Sequence, residues 1–203
     1  MPDDWLWLRK ALVVGSALVY WGGVLVQTYR IRRRIGRSPN VKPRGLKERL
    51  LWSGWMVVVA LWIGQPWFIG RSDLPLVSLM SFLFHDEFVF LGSLLLVAGY
   101  AGTLWCYAAL GDAWRLGIRR RERTVLVRTG PYRLVRHPIY LFQCVMLLGA
   151  AIVLPTLFSF LMLGLQVFCV FIKAMDEEAY LMQIHGSEYA EYLRRTGRFL
   201  PNI

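Results

Sequence analysis

PIYLFQCVMLLGAAIVLPTLFSFLMLGLQVFCVFIK, residues 138–173, contains no charge before Lys173. It is nearly twice as long as the roughly 20 apolar residues that cross a bilayer once. Leu154-Pro155 interrupts it close to the middle. Proline lacks an N–H and fixes φ, so it is tolerated in the first turn of a helix and not in its interior. The stretch therefore reads as a tight helical hairpin, with Pro155 in the first turn of the second helix.

Toward the N-terminus the same apolar spacing recurs. Residues 11–29 carry no charge and are long enough for one span. This run follows the acidic start Met1-Pro2-Asp3-Asp4, lacks a cleavage motif and is too long for a leader's apolar region, so it reads as a span. Residues 50–70 form a second span, with Trp52, Trp55, Trp62 and Trp67 near its ends as interfacial anchors. Residues 72–86 are too short to cross alone and read as a half-buried segment, and a third span covers roughly 88–110.

Of 24 Lys and Arg, nine fall in residues 30–49, a loop broken by Pro39 and Pro43, and eight in residues 115–136. Placing both loops in the cytoplasm follows the positive-inside rule. The expected fold is an all-α integral membrane protein with about five transmembrane helices. Its N-terminus is outside and its C-terminus cytoplasmic. Residues 1–203 form one membrane domain, with three spans in 1–109. The tail, 174–203, reads as two short helical stretches parted by His185-Gly186-Ser187, with Gly suited to a helix C-terminus and Ser to an N-cap.

Composition excludes several classes. The chain is 56% hydrophobic, above the 45–50% or so of soluble domains, and the excess lies in long runs. A net charge of +11 would suit nucleic acid, but the positive residues sit in short loops between spans, so no nucleic-acid partner is expected. Cys106, Cys144 and Cys169 all lie in apolar runs with no CxxC pair, and support neither a disulfide framework nor a zinc site. His85, beside Asp86 and Glu87, reads as a surface group and not a metal ligand. No Walker, HExxH, GxSxG or strand-borne GxGxxG sequence occurs, so a nucleotide-like cofactor would need a pocket of helices and loops.

Three constellations carry chemical potential. In GPYRLVRHPIYLFQ, 130–143, Pro138 suits the first position of a helix whose N-terminus offers free N–H groups and a positive dipole end. Arg133, Arg136 and His137 add donors there for a carboxylate or phosphate, while Tyr132 and Tyr140 can wall an aromatic pocket. An interfacial belt of Arg and Tyr explains this composition equally well. In KAMDEEAY, 173–180, Lys173 and Glu177 share a helix face, with Glu178 pointing about 100° away. Acidic groups this close to the bilayer are functional candidates, although a solvated helix turn accounts for them too. In GSEYAEYLRRTGRFLP, 186–201, Tyr189, Tyr192 and Leu193 share one face, as an amphipathic helix packed on the domain or lying on lipid requires.

Taken in order, LGDAWRLGI (110–118), LVRTGPYRLVRHPIY (126–140), DEEAYL (176–181) and GSEYAEYLRRTGRFLP (186–201) resemble the isoprenylcysteine carboxyl methyltransferase family. More broadly they resemble the membrane phospholipid methyltransferase superfamily. The resemblance covers about 110–201 and makes 110–203 a methyltransferase-like catalytic half. It implies an enzyme that binds S-adenosylmethionine in a cytoplasmic pocket and methylates a lipophilic small molecule or lipid-modified substrate among membrane lipids.

Carried over by motif, the cofactor pocket comprises Leu126, Val127, Gly130, Pro131, Tyr132, His137, Pro138 and Tyr140. Glu178 would face the cofactor, with Tyr189, Tyr192, Arg198, Phe199 and Pro201 supporting or closing the site. Lys173 and Glu177 would be catalytic. Where the carboxyl methyltransferases have Arg near the acceptor, this chain has Lys173, a point charge without the bidentate fork of Arg. The acceptor is therefore open among carboxylate, amine, thiol and hydroxyl, and for the last three Glu177 can take a proton. The same C-terminal signature also occurs in NADPH-dependent membrane sterol reductases, and a non-catalytic membrane scaffold is the remaining alternative.

Overall fold

The computed structural model describes residues 3–36, 39, 43, 45–70, 74–114 and 125–202. Most of the first basic loop, the second basic loop over 115–124 and residues 115–118 of the LGDAWRLGI stretch lie outside the described residues, as do 71–73. Six α-helices occur among the described residues: α1 (Asp3–Ile35), α2 (Gly45–Gly64), α3 (Asp86–Leu110), α4 (Pro138–Val153), α5 (Leu157–His185) and α6 (Ser187–Arg195).

Among the described residues, four segments are long and apolar enough to cross a membrane: Trp5–Ile35, Gly45–Trp67, Asp86–Ala113 and Leu157–His185. α4 is apolar but has only 16 residues, about 24 Å at 1.5 Å per residue, short of a hydrocarbon core of about 30 Å. Among the described residues, four of the five expected spans correspond to helices of that length and the expected fourth to the shorter α4.

α4 can be short because it is sunk against α3 in the most extensive helix–helix interface of the fold. Glycines line this seam. A Cβ added at Gly99 would lie 2.8 Å from Phe142 O, and one at Gly149 2.6 Å from Gly92 O. Small residues that let backbones approach this closely are how helices associate in lipid, where burial alone gives little drive.

The hairpin forms as its composition requires, but Pro155 lies in the connection and not in the first turn of α5. Thr156 provides the reason. Its side-chain oxygen accepts from Ser159 N at 3.0 Å, so the N-cap is Thr156 and the helix begins at Leu157. Pro155 instead lends its carbonyl to Met80 N at 2.8 Å, which fixes the segment after α2 to the hairpin tip. Gln65 Nε2 donates to Ser159 Oγ at 2.6 Å beneath it. At the same end, buried Arg9 donates to His85 O at 3.0 Å and to Val153 O at 3.3 Å. One cation thereby holds the ends of α1, α3 and α4 together.

At the opposite end the helices outrun the expected spans. α1 continues to Ile35 and α5 to His185 without a break at Lys173. The two short tail helices expected after 174 are the last turns of α5 and, beyond Gly186, α6. Gly186 itself is the N-cap of α6 and Ser187 its first residue. The change at Lys173 is one of composition only, as the helix leaves its apolar stretch.

Candidate active site

The site is built where α4 begins. Gly130 adopts φ +58, and an added Cβ there would meet Ala109 Cβ at 3.1 Å and Trp105 Nε1 at 3.3 Å, so only glycine suits this turn. The turn Gly130–Arg133 buries Pro131 and leads into an extended segment paired with the tail. Arg136 N donates to Gly197 O at 2.9 Å and His137 N to Arg198 O at 3.1 Å. The backbone of the RHP sequence is therefore held by residues 60 or so positions later in the chain. Pro138 then opens α4, where its missing N–H needs no partner.

His137 is the hub. Its ring stacks on Tyr140 with centroids 5.7 Å apart and lies 6.1 Å from Phe199. Its Nδ1 is 3.5 Å from Glu177 Oε2, and its Nε2 is 3.3 Å from Glu178 Oε1. Adjacent residues on a helix diverge by about 100°, so the two carboxylates of α5 straddle one imidazole. Glu177 also accepts from Tyr140 OH at 2.8 Å. Glu178 accepts from Arg136 Nε at 2.9 Å and from Arg198 Nε and Nη2 at 3.0 and 2.7 Å. Arg136 Nη1 further donates to Leu193 O and Thr196 O, tying α6 into the cluster.

Burial alone would lower the pKa of His137, but Glu177 and Glu178 outweigh it and raise the value. Hydrogen bonds to Glu178 raise Arg198 above the ordinary guanidinium range against a smaller effect of burial. Burial pushes Tyr192 up to about 12 and Tyr132 and Tyr189 well above the usual phenol value. The site thus holds neutral phenols around one imidazole and two carboxylates.

A cavity of about 280 Å³ opens beside this cluster. Among the residues singled out in the sequence, Leu126, Val127, Tyr132, His137, Tyr140, Lys173, Glu177, Tyr189 and Tyr192 line it. Gly130, Pro131 and Pro138 shape the backbone behind it. Glu178, expected to face the cofactor, turns to its arginines and His137 behind the wall, and Arg198 and Phe199 brace the same cluster. Arg136 lines the cavity while Arg133 does not.

The N-terminal helices supply a wall that sequence reading missed: Tyr20 and Val24 from α1, and Glu48, Leu51, Trp52 and Trp55 from α2. Tyr107, Trp114 and Gln143 complete it. No local pattern marks these residues, because ordinary spans also carry interfacial aromatics. Tyr189 is fully buried, and its hydroxyl has no protein partner among the described residues. An unanswered phenol in a wall that also presents Arg136, His137 and Glu177 suits a small zwitterionic ligand with an aromatic part.

Residues 88–188, about half of the chain, match the phospholipid methyltransferase family. The chain is 30% identical over 102 residues to the nickel-cobalt-cadmium resistance protein NccN of Alcaligenes xylosoxydans xylosoxydans, covering 50% of this chain and 44% of that protein. It is 31% identical over 113 residues to the cobalt-zinc-cadmium resistance protein CzcN of Cupriavidus metallidurans, covering 56% and 49%. It is 33% identical over 87 residues to protein-S-isoprenylcysteine O-methyltransferase B of Arabidopsis thaliana, covering 42% and 44%. The chain spans about half the length of the curated relatives it matches. The helical fold, with four described segments long and apolar enough to cross a membrane and a cavity at one end of the bundle, accords with that family match. This chain belongs to the phospholipid methyltransferase family.

Proposed function

We propose that the protein transfers a methyl group from S-adenosylmethionine to a lipophilic acceptor at the cytoplasmic face of the membrane. The observation that carries this reading is the cavity itself. Its one wall is charged and phenolic, from Arg136, His137, Glu177, Tyr132 and Tyr189, and its other, from α1 and α2, is apolar and aromatic apart from Glu48. A charged donor and a lipophilic acceptor need those two surfaces side by side.

When bound, the donor supplies an electrophilic methyl on a sulfonium, and transfer is an in-line displacement governed by positioning. Arg136 would hold the carboxylate of the donor, with His137 setting that wall through Glu177 and Glu178, the Tyr189 hydroxyl would meet its ammonium, and Tyr132 and Tyr192 its ring. Tyr140 and His137 orient Glu177 from two sides, and the carboxylate keeps lone pairs to receive a proton from an amine, thiol or hydroxyl acceptor. Lys173, one turn before Glu177 on the cavity wall, would steady an anionic group of the acceptor.

Calorimetric titration of the protein in detergent with S-adenosylmethionine and, separately, NADPH tests the reading. Binding of the methyl donor and not of NADPH is expected. His137→Ala should weaken donor binding about tenfold or more, the scale of a charge-assisted hydrogen bond, with a smaller effect on melting temperature. Binding of NADPH alone, or unchanged donor affinity in the variant, overturns it.

A further inference from the structure

A small annex adjoins the main cavity, deeper between α1, α2, α4 and α5, and shares Tyr20, Trp55 and Gln143 with it. Its volume is about 10 Å³, room for one water-sized group. Aromatic rings enclose it: Tyr20 lies 5.4 Å from Trp21 and 6.2 Å from Trp62, and Trp21 lies 5.3 Å from Trp55. A hydrogen-bond chain runs along one side. Gln143 Nε2 donates to Tyr20 OH, and Gln166 Nε2 donates to Gln143 Oε1 at 3.2 Å.

That chain ends unanswered. Gln166 is 1% exposed, yet its Oε1 has no protein partner among the described residues. The indole N–H groups of Trp21 and Trp62 are buried without a partner as well. Two unpaired donors and an unpaired acceptor thus belong to residues that line one space, inside an apolar layer where an unpaired polar group is costly and polar side chains mark function. None of the described lining residues is Asp, Glu, Lys, Arg or His, so the annex offers nothing to a charged group. A single group that both accepts from N–H and donates to C=O is a neutral hydroxyl.

We propose that this annex is a recognition subsite for a hydroxyl carried by the lipophilic acceptor, remote from the atom that is methylated. Gln166 lies eleven residues before Glu177 on α5, which sets the two ends of the acceptor about 16 Å apart along the helix. Tyr20 and Gln143 form the partition past which the acceptor's chain reaches. Trp21, Trp62 and Gln166 read the hydroxyl, so the annex determines specificity and takes no part in the displacement. The proposal rests on the methyl-transfer reading for its name of acceptor, and on the annex alone for its chemistry.

Matched probes test it: ω-hydroxylauric acid against lauric acid, and the corresponding ω-hydroxylauryl amine against lauryl amine, titrated into the protein in lipid nanodiscs. In at least one pair the hydroxylated member should bind about tenfold tighter, the scale of a net buried hydrogen bond. Gln166→Leu and Trp62→Phe should each bring the pair to within about twofold, with S-adenosylmethionine affinity unchanged. Either variant suffices if the other fails to fold. Equal or absent binding of both members by the unaltered protein shows that the annex serves a resident water only and overturns the proposal. So does a preference that survives both substitutions. A hydroxyl preference in a protein that does not bind S-adenosylmethionine removes the methyl-transfer reading and leaves the annex standing.

Discussion

His137 shows how much one residue can be asked to do. Its backbone N–H is tied to the tail, its ring is stacked on Tyr140, and its two nitrogens face two carboxylates. Because its folded pKa is raised, its charge stabilises the folded state fully below the ordinary value of about 6.5 and ceases to do so as pH rises through the raised value. The melting-temperature advantage of the unaltered protein over His137→Gln should therefore shrink as pH is taken from about 6 to about 9. An advantage that grows over that range means the imidazole is neutral in the fold. Glu177→Gln keeps the shape of the site but removes its basicity. Turnover should fall about a hundredfold or more while donor affinity changes little, measured by labelled-methyl incorporation into a lipid extract alongside calorimetry. Unchanged turnover takes the proton-accepting role from Glu177. The sequence exposed His137, Tyr140 and Glu177 because each sits in a compact ordered motif. It exposed the cation of Arg136 but not its partners, since those come from α5 and α6.

At the scale of elements, the α3–α4 seam sets where the site begins. Gly99 meets the backbone of α4 at Phe142, two residues after Tyr140, so a side chain there pushes on the helix that presents the cavity wall. Gly99→Val should destabilise the protein by about 1–3 kcal/mol and weaken donor binding with it. Gly15→Val, on a face of α1 with nothing within 4 Å, should do neither. Thermal melting in detergent separates the two, and equal melting of both variants refutes the seam as a constraint. Hydrophobic runs made these helices legible in the sequence but not their lengths. The preference of proline for first turns predicts Pro155 inside α5, whereas Thr156 supplies a better cap one residue later. Charge usually follows a span, which predicts an end at Lys173, yet an α-helix continues into water wherever its residues allow.

The whole molecule joins two halves of different legibility. Residues 88–188 bear the family pattern and hold most of the charged wall. α1 and α2 lie before it and supply the apolar wall, which no motif announces because its residues are common in any span. The described residues that flank the two basic stretches lie at the end of the bundle where Arg34 pairs with Asp112 at 3.5 Å and Lys47 with Asp176 at 2.6 Å. That end should face the cytoplasm. A reporter that fluoresces only in the cytoplasm should be bright when fused after the tail and dark when fused before α1. The reverse pattern inverts the orientation of the cavity.

The pairing of Val135 with Gly197 has a consequence for synthesis. The helices can enter the membrane one after another as they leave the ribosome, but the N–H groups of Arg136 and His137 find their carbonyls only when Gly197 and Arg198 have been made. Insertion and competence are thus separate events in time. A nascent chain halted before residue 197 would sit in the bilayer with its helices in place and its imidazole unmoored, so the site is assembled last.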